Sequence, residues 1–164
     1  MGMTLPSELG SLLNLLGYKW PEGDEQKIFE MGQRWSDFGG TLNEVAQAGD
    51  QAASVVWSGN TGANIDAFAS HWKDNDGPAR ILRDGGTAAS LVGTGMTICA
   101  GIMLVLKVNV IVQLTTLAIQ IMQAMAAAVA TFGASLSEIP IFQQITREIV
   151  SELIQQVISR LANA

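Results

Sequence analysis

The stretch VVWSGNTGANIDAFASHW, residues 55–72, decides the fold. It holds two of the chain's four tryptophans, Trp57 and Trp72, and lies between two segments of helical periodicity. Trp57-Ser58-Gly59-Asn60 reads as a break. Gly59 is suited to a positive φ, and Asn60 or Thr61 to capping the free N–H groups of a following helix. After the break, Ile65, Phe68 and Trp72 continue at i, i+3, i+7 spacing, which gives the second segment a core face. The join predicts a helical hairpin with Trp57 at its closed end.

Working backwards from the break, the pattern is regular. Ile28, Trp35, Leu42, Gly49 and Val56 recur every seven residues, and Met31, Phe38, Val45 and Ala52 follow each by three. A heptad sustained from Asp24 to Val56 predicts one helix roughly 50 Å long at 1.5 Å per residue. Ile28, Met31, Trp35, Phe38, Leu42 and Val45 form its expected seam for a partner helix. Gly39-Gly40 and Gly49 lower intrinsic helicity, so either tertiary contacts compensate or the glycines permit close backbone approach. Further towards the N-terminus, residues 5–16 predict a short apolar helix opened by Pro6 and stopped by Gly17. Tyr18, Trp20 and Pro21 then form an aromatic corner fit to pack as a lid.

Working forwards, Asp76-Gly77-Pro78 and Arg83-Asp84-Gly85-Gly86 read as two interruptions. The 53 residues from Gly85 to Ser137 contain a single charge, Lys107. Either side of Lys107 is long and apolar enough to span a bilayer. No glycine or proline turn lies near it, however, so one helix over 88–132 is expected. Asn109, Gln113, Thr116, Gln120 and Gln123 fall on one face of that helix. This polar stripe would meet water, another polar stripe or the lumen of a pore. Ala89, Gly93, Thr97 and Gly101 form a row of small residues that allows close helix crossing in a soluble bundle or a membrane. Ser137 and Pro140 open a last amphipathic helix, which reaches Ala164 without a stop signal and suggests a longer polypeptide.

The expected fold class is therefore all-α: an elongated bundle of two helical hairpins with a short N-terminal helix. Residues 1–84 would supply the N-terminal helix and first hairpin, and residues 85–164 the long apolar helix and the C-terminal amphipathic helix. A net charge of −6 without clustered Lys and Arg argues against nucleic-acid binding. His71, the only histidine, has no cysteine or carboxylate at metal-ligand spacing, and no phosphate loop or Ser-His-Asp set can be assembled. Glu22, Asp24 and Glu25 suit a helix N-terminus better than acid–base chemistry. Cys99, the single cysteine, lies in the apolar run and reads as an inert buried thiol. Neither an enzyme nor a cofactor is expected. The N-terminus lacks the basic and small-residue signals of a secretory leader.

Trp57-x-Gly59 between two helices resembles the signature of the WxG-motif family exported by type VII (ESX) secretion systems. The blocks LPSELGSLLNLLGYKWPEGDE, DEQKIFEMGQRW and KVNVIVQLTTLAIQIMQAMAAAVATFGASLSEIP are similar to the WxG-like domains that open large actinobacterial polymorphic toxins. The resemblance implies a non-enzymatic trafficking domain that directs a downstream toxin to type VII secretion. It also implies recognition by a secretion ATPase and pairing with a small WxG-family hairpin protein. Trp57 and Gly59 would carry secretion recognition. The route would be leaderless, from the cytoplasm to the cell envelope or the exterior. Tyr18-Lys-Trp-Pro-Glu22 matches the spacing of the family's usual tyrosine and acidic residue, but it precedes the first long helix instead of following a hairpin and contains Pro21, and no tyrosine follows Tyr18. Channel formation in some members implies the alternative: a membrane-inserting domain with Asn109, Gln113, Thr116, Gln120 and Gln123 lining a pore.

Overall fold

The computed structural model describes residues 2–163. Its helices are α1 (Ser7–Leu15), α2 (Glu25–Gly59), α3 (Ala63–Lys73), α4 (Pro78–Ala127) and α5 (Ile139–Ala162), with a 3-10 turn at Ala134–Glu138 before α5. No strand occurs among the described residues, so the fold is all-α, as the periodicity predicts. The chain divides into two compact units. One comprises Ile28–Thr97; the other comprises Met1–Lys27 together with Ile98–Ala164.

In the first unit, α2 and the opening part of α4 run antiparallel and meet through glycine. Gly32 lies against Gly93 and Gly39 against Gly86. A Cβ on Gly39 would stand 2.6 Å from the Gly86 carbonyl oxygen, and one on Gly86 2.8 Å from that of Gly39. The backbones are in contact, and only glycine fits. The line continues at seven-residue intervals through buried Ala46 and Ala53 on α2 and buried Ala79 on α4. Ser90 and Thr97 turn their hydroxyls back onto the carbonyls of Gly86 and Gly93, both at 3.0 Å, so these two hydroxyls are paired within their own helix.

The heptad in α2 is thus real, but the buried line is four residues on from the expected one. Ile28 and Leu42 are half-buried, while Met31, Trp35, Phe38 and Val45 are 39–51% exposed. Burying the small residues brings two backbones together. Burying the large ones would hold the axes at the usual 8–10 Å separation.

Several helix ends differ from expectation. Gly59 is the last residue of α2, and the positive φ belongs to Gly62, at +126°, which precedes α3. Asn60 does not cap α3; its side-chain amide donates to the Val56 carbonyl at 2.8 Å and closes α2. The break at 76–78 is present, but α4 runs uninterrupted through 83–86, because Gly86 is held in the crossing. That helix ends at Ala127, short of 132, where a turn leads to Gly133 with φ +85°. Ser137 lies in the 3-10 turn and bonds the Ala134 carbonyl at 2.7 Å, so it does not cap α5.

In the second unit, α1 packs on the later part of α4. Leu13, Leu16, Val110, Leu114 and Leu117 form its core, joined at the margin by Tyr18, Trp20 and Phe142. Gly17 takes φ +86° and turns the chain after α1. The Tyr18 hydroxyl donates to the Arg147 carbonyl of α5 at 3.3 Å. Residues 98–109 of α4 and 153–160 of α5 border a shared groove, so these two helices fold back on one another. Cys99 is only half-buried.

Candidate recognition site

Trp57 sits in the last turn of α2. Its ring lies 5.9 Å from that of Phe68, which lies 5.9 Å from that of Trp72, giving three tilted rings between α2 and α3. The Lys73 ammonium stands 4.8 Å from the Trp57 ring centroid, a cation–π contact. The Trp72 indole N–H donates to Asp50 at 2.8 Å, and Arg83 pairs with the other oxygen of the same carboxylate. Asp50 therefore ties α3 and α4 to α2. Trp72 packs on Gly49, where a Cβ would approach its ring to 3.2 Å.

The result is a half-exposed indole held from behind, beside an open depression of about 460 Å³ whose lining includes Asp50, Trp57, Trp72, Asn75 and Arg83. Gly59, the second expected recognition residue, has nothing within 4 Å of where a Cβ would be. The pair is brought together on one exposed helix end. Spacing reveals Phe68 and Trp72. Nothing in the sequence points to the Asp50–Arg83–Trp72 brace, whose members are joined only by the fold.

The expected pore-lining stripe lies on one face of α4, with Asn109, Gln113 and Gln120 half-buried and Thr116 and Gln123 exposed. Thr116 returns its hydroxyl to the Val112 carbonyl at 3.0 Å.

Lys107 is the other feature the sequence singles out. It is 2% exposed. Its ammonium donates to the Gly23 carbonyl at 2.6 Å and to Glu25 at 2.5 Å, and stands 5.7 Å from the Trp20 ring centroid. Glu25 also accepts the Met3 N–H. The Lys107 hydrogen bond, then that from Met3, holds the Glu25 carboxyl at about 2, against an ordinary value of 4.5. The acidic pair at the start of α2 thus divides its work. Asp24 accepts the Lys27 N–H at 3.1 Å at the helix start, and that bond lowers its pKa; Glu25 turns inward to neutralise the lysine.

Paired antiparallel helices with a tryptophan and a glycine at the end of the first define a helical-hairpin protein of the WxG type. The family model described as the WXG100 like domain matches residues 7–149, and the chain belongs to that family. It is accordingly a helical protein associated with type VII secretion. Comparisons with curated proteins and with solved structures give no match.

Proposed function

We propose that this chain is a non-enzymatic trafficking domain that directs a downstream toxin of the actinobacterial polymorphic kind into type VII secretion. The carrying observation is the presentation of Trp57. Its indole is half-exposed at the end of α2, supported by Phe68 and Lys73, with unobstructed Gly59 two residues on. A rigid aromatic with one free face is a low-entropy anchor for a receptor pocket, and the secretion ATPase would supply that pocket. The exposed Met31, Trp35, Phe38 and Val45, with Ile28 and Leu42 at their margin, form an apolar stripe on α2 suited to a small WxG-family hairpin. The chain would wait in the cytoplasm and leave without a cleaved leader.

Export of a downstream reporter tests this reading. Trp57→Ala abolishes export while the far-ultraviolet circular dichroism stays that of the parent. Export at parental levels by the folded variant overturns the recognition role. Co-purification of a small hairpin protein that is lost in Trp35→Ser/Phe38→Ser tests the stripe.

One observation favours a second reading, a channel-forming domain. The helical stretch ending at Ala127 contains an 18-residue window of mean hydropathy 2.1 of which 17% is buried. Gln113→Leu/Gln120→Leu would then alter single-channel conductance in planar bilayers, and unchanged currents would remove this reading.

A further inference from the structure

The groove shared by α4 and α5 has a volume of about 240 Å³. Its walls are apolar: Ile102 and Val105 come from α4, Leu153 and Val157 from α5. Gly101 holds it open. This glycine lies inside a helix, where it costs helix propensity, and nothing stands within 4 Å of where its Cβ would be. Gly39 and Gly86 are fixed by contact with another backbone. Gly101 has no such contact, and its missing side chain leaves free space beside the walls.

Arg160 borders the same groove and is the one ionisable group among its lining residues. No carboxylate pairs with it among the described residues. Gln156, about one turn earlier on α5, brings an amide that can donate beside the guanidinium. Lys107 lies on the same stretch of α4 but is spent on Gly23 and Glu25, so it adds no charge here.

We propose that this groove binds a single-chain aliphatic carboxylate, its head on Arg160 and Gln156 and its tail along Val105, Leu153 and Val157. Volume and charge select that class together. A partner helix is about 10 Å across, so 240 Å³ would hold only about 3 Å of its length. The same space equals that of about eight waters, which suits one unbranched chain of about eight carbons. One unpaired cation balances one negative charge, and the guanidinium fork matches the two oxygens of a carboxylate. A doubly charged phosphate head would lack a second cation. Such binding requires neither export nor insertion into a membrane, so it stands apart from both readings above.

The test is calorimetric titration of the 164-residue chain with hexanoate, octanoate and dodecanoate below their micellar concentrations, and with octanol. Octanoate saturates a single site and binds more tightly than octanol. Affinity rises about 3-fold per methylene from hexanoate to octanoate, then levels off by dodecanoate, whose tail outgrows the groove. Arg160→Gln weakens octanoate at least ~10-fold and leaves octanol unchanged. Gly101→Leu fills the slot and removes both ligands. It melts no lower than the parent, because its Cβ meets nothing and leucine is the better helix former, so the loss is not one of folding. Absence of octanoate binding overturns the proposal, as does equal affinity for octanol or unchanged binding in either variant. An affinity that keeps climbing through dodecanoate overturns it too, since that marks adsorption to exposed apolar surface at large.

Discussion

The Lys107 ammonium lies 2.5 Å from the Glu25 carboxylate, joining the one charge in a 53-residue run to the first residue of α2, 82 positions earlier. Both side chains are buried, at 2% and 9% exposure. The lysine's other partner at short range is the Gly23 carbonyl, so the segment before α2 closes over it.

Removing one member of the pair leaves a buried charge without its counter-ion. Lys107→Met or Glu25→Gln alone should each lower unfolding free energy by about 3 kcal/mol. The double substitution should lose less than the sum, because neither charge then remains. Urea denaturation of the four proteins completes the cycle, and additive losses would show that the two side chains are not coupled.

The same contact sets an acid limit. The Glu25 carboxyl is depressed to about 2 from 4.5, so it is charged in the folded state at pH values where the unfolded chain binds a proton. Its contribution is complete above about 4.5 and is lost as pH falls towards 2. The urea midpoint should drop across that window, and Glu25→Gln should flatten the drop. Identical slopes in parent and variant would place the acid sensitivity elsewhere.

Neighbouring glycines in α2 should respond in opposite directions. At Gly39 a Cβ meets the Gly86 carbonyl oxygen at 2.6 Å, whereas at Gly40 nothing lies within 4 Å. Gly39→Ala should destabilise by about 1–3 kcal/mol through overpacking, despite alanine's better helix propensity. Gly40→Ala should stabilise by about 0.5–1 kcal/mol. Thermal melts of the two variants give the comparison directly, and equal signs would contradict the glycine crossing.

Behind the recognition face, Trp72→Phe keeps the ring stack but deletes the 2.8 Å bond to Asp50. A hydrogen bond to a carboxylate contributes about 1.5 kcal/mol net. The variant should lose that much stability, and the fluorescence of the neighbouring Trp57 should report a loosened end. Unchanged stability would show that Arg83 alone suffices to hold Asp50.

Local spacing made much of this molecule readable. The seven-residue repeat of α2, the Pro6 and Gly17 limits of α1, the Asp76–Pro78 break and the apolar length of α4 all arise from contacts between residues close in sequence. Trp57-x-Gly59 was visible for the same reason, and it sits at a helix end. Which face of α2 turns inward was not readable. Hydrophobicity ranks Trp35 and Phe38 above Gly32 and Gly39, yet the glycines are buried and the aromatics exposed. That choice depends on a matching pair, Gly86 and Gly93, on another helix, because close backbone approach requires small residues on both sides. Glu25 is a further case: alone it reads as a helix-start charge, and only Lys107 gives it another role. Sequence by itself determined the helices and the WxG end, because periodicity and turn chemistry act within a few residues. Tertiary structure alone decided the buried faces and the partner of the lone lysine, because each depends on groups that only folding brings together.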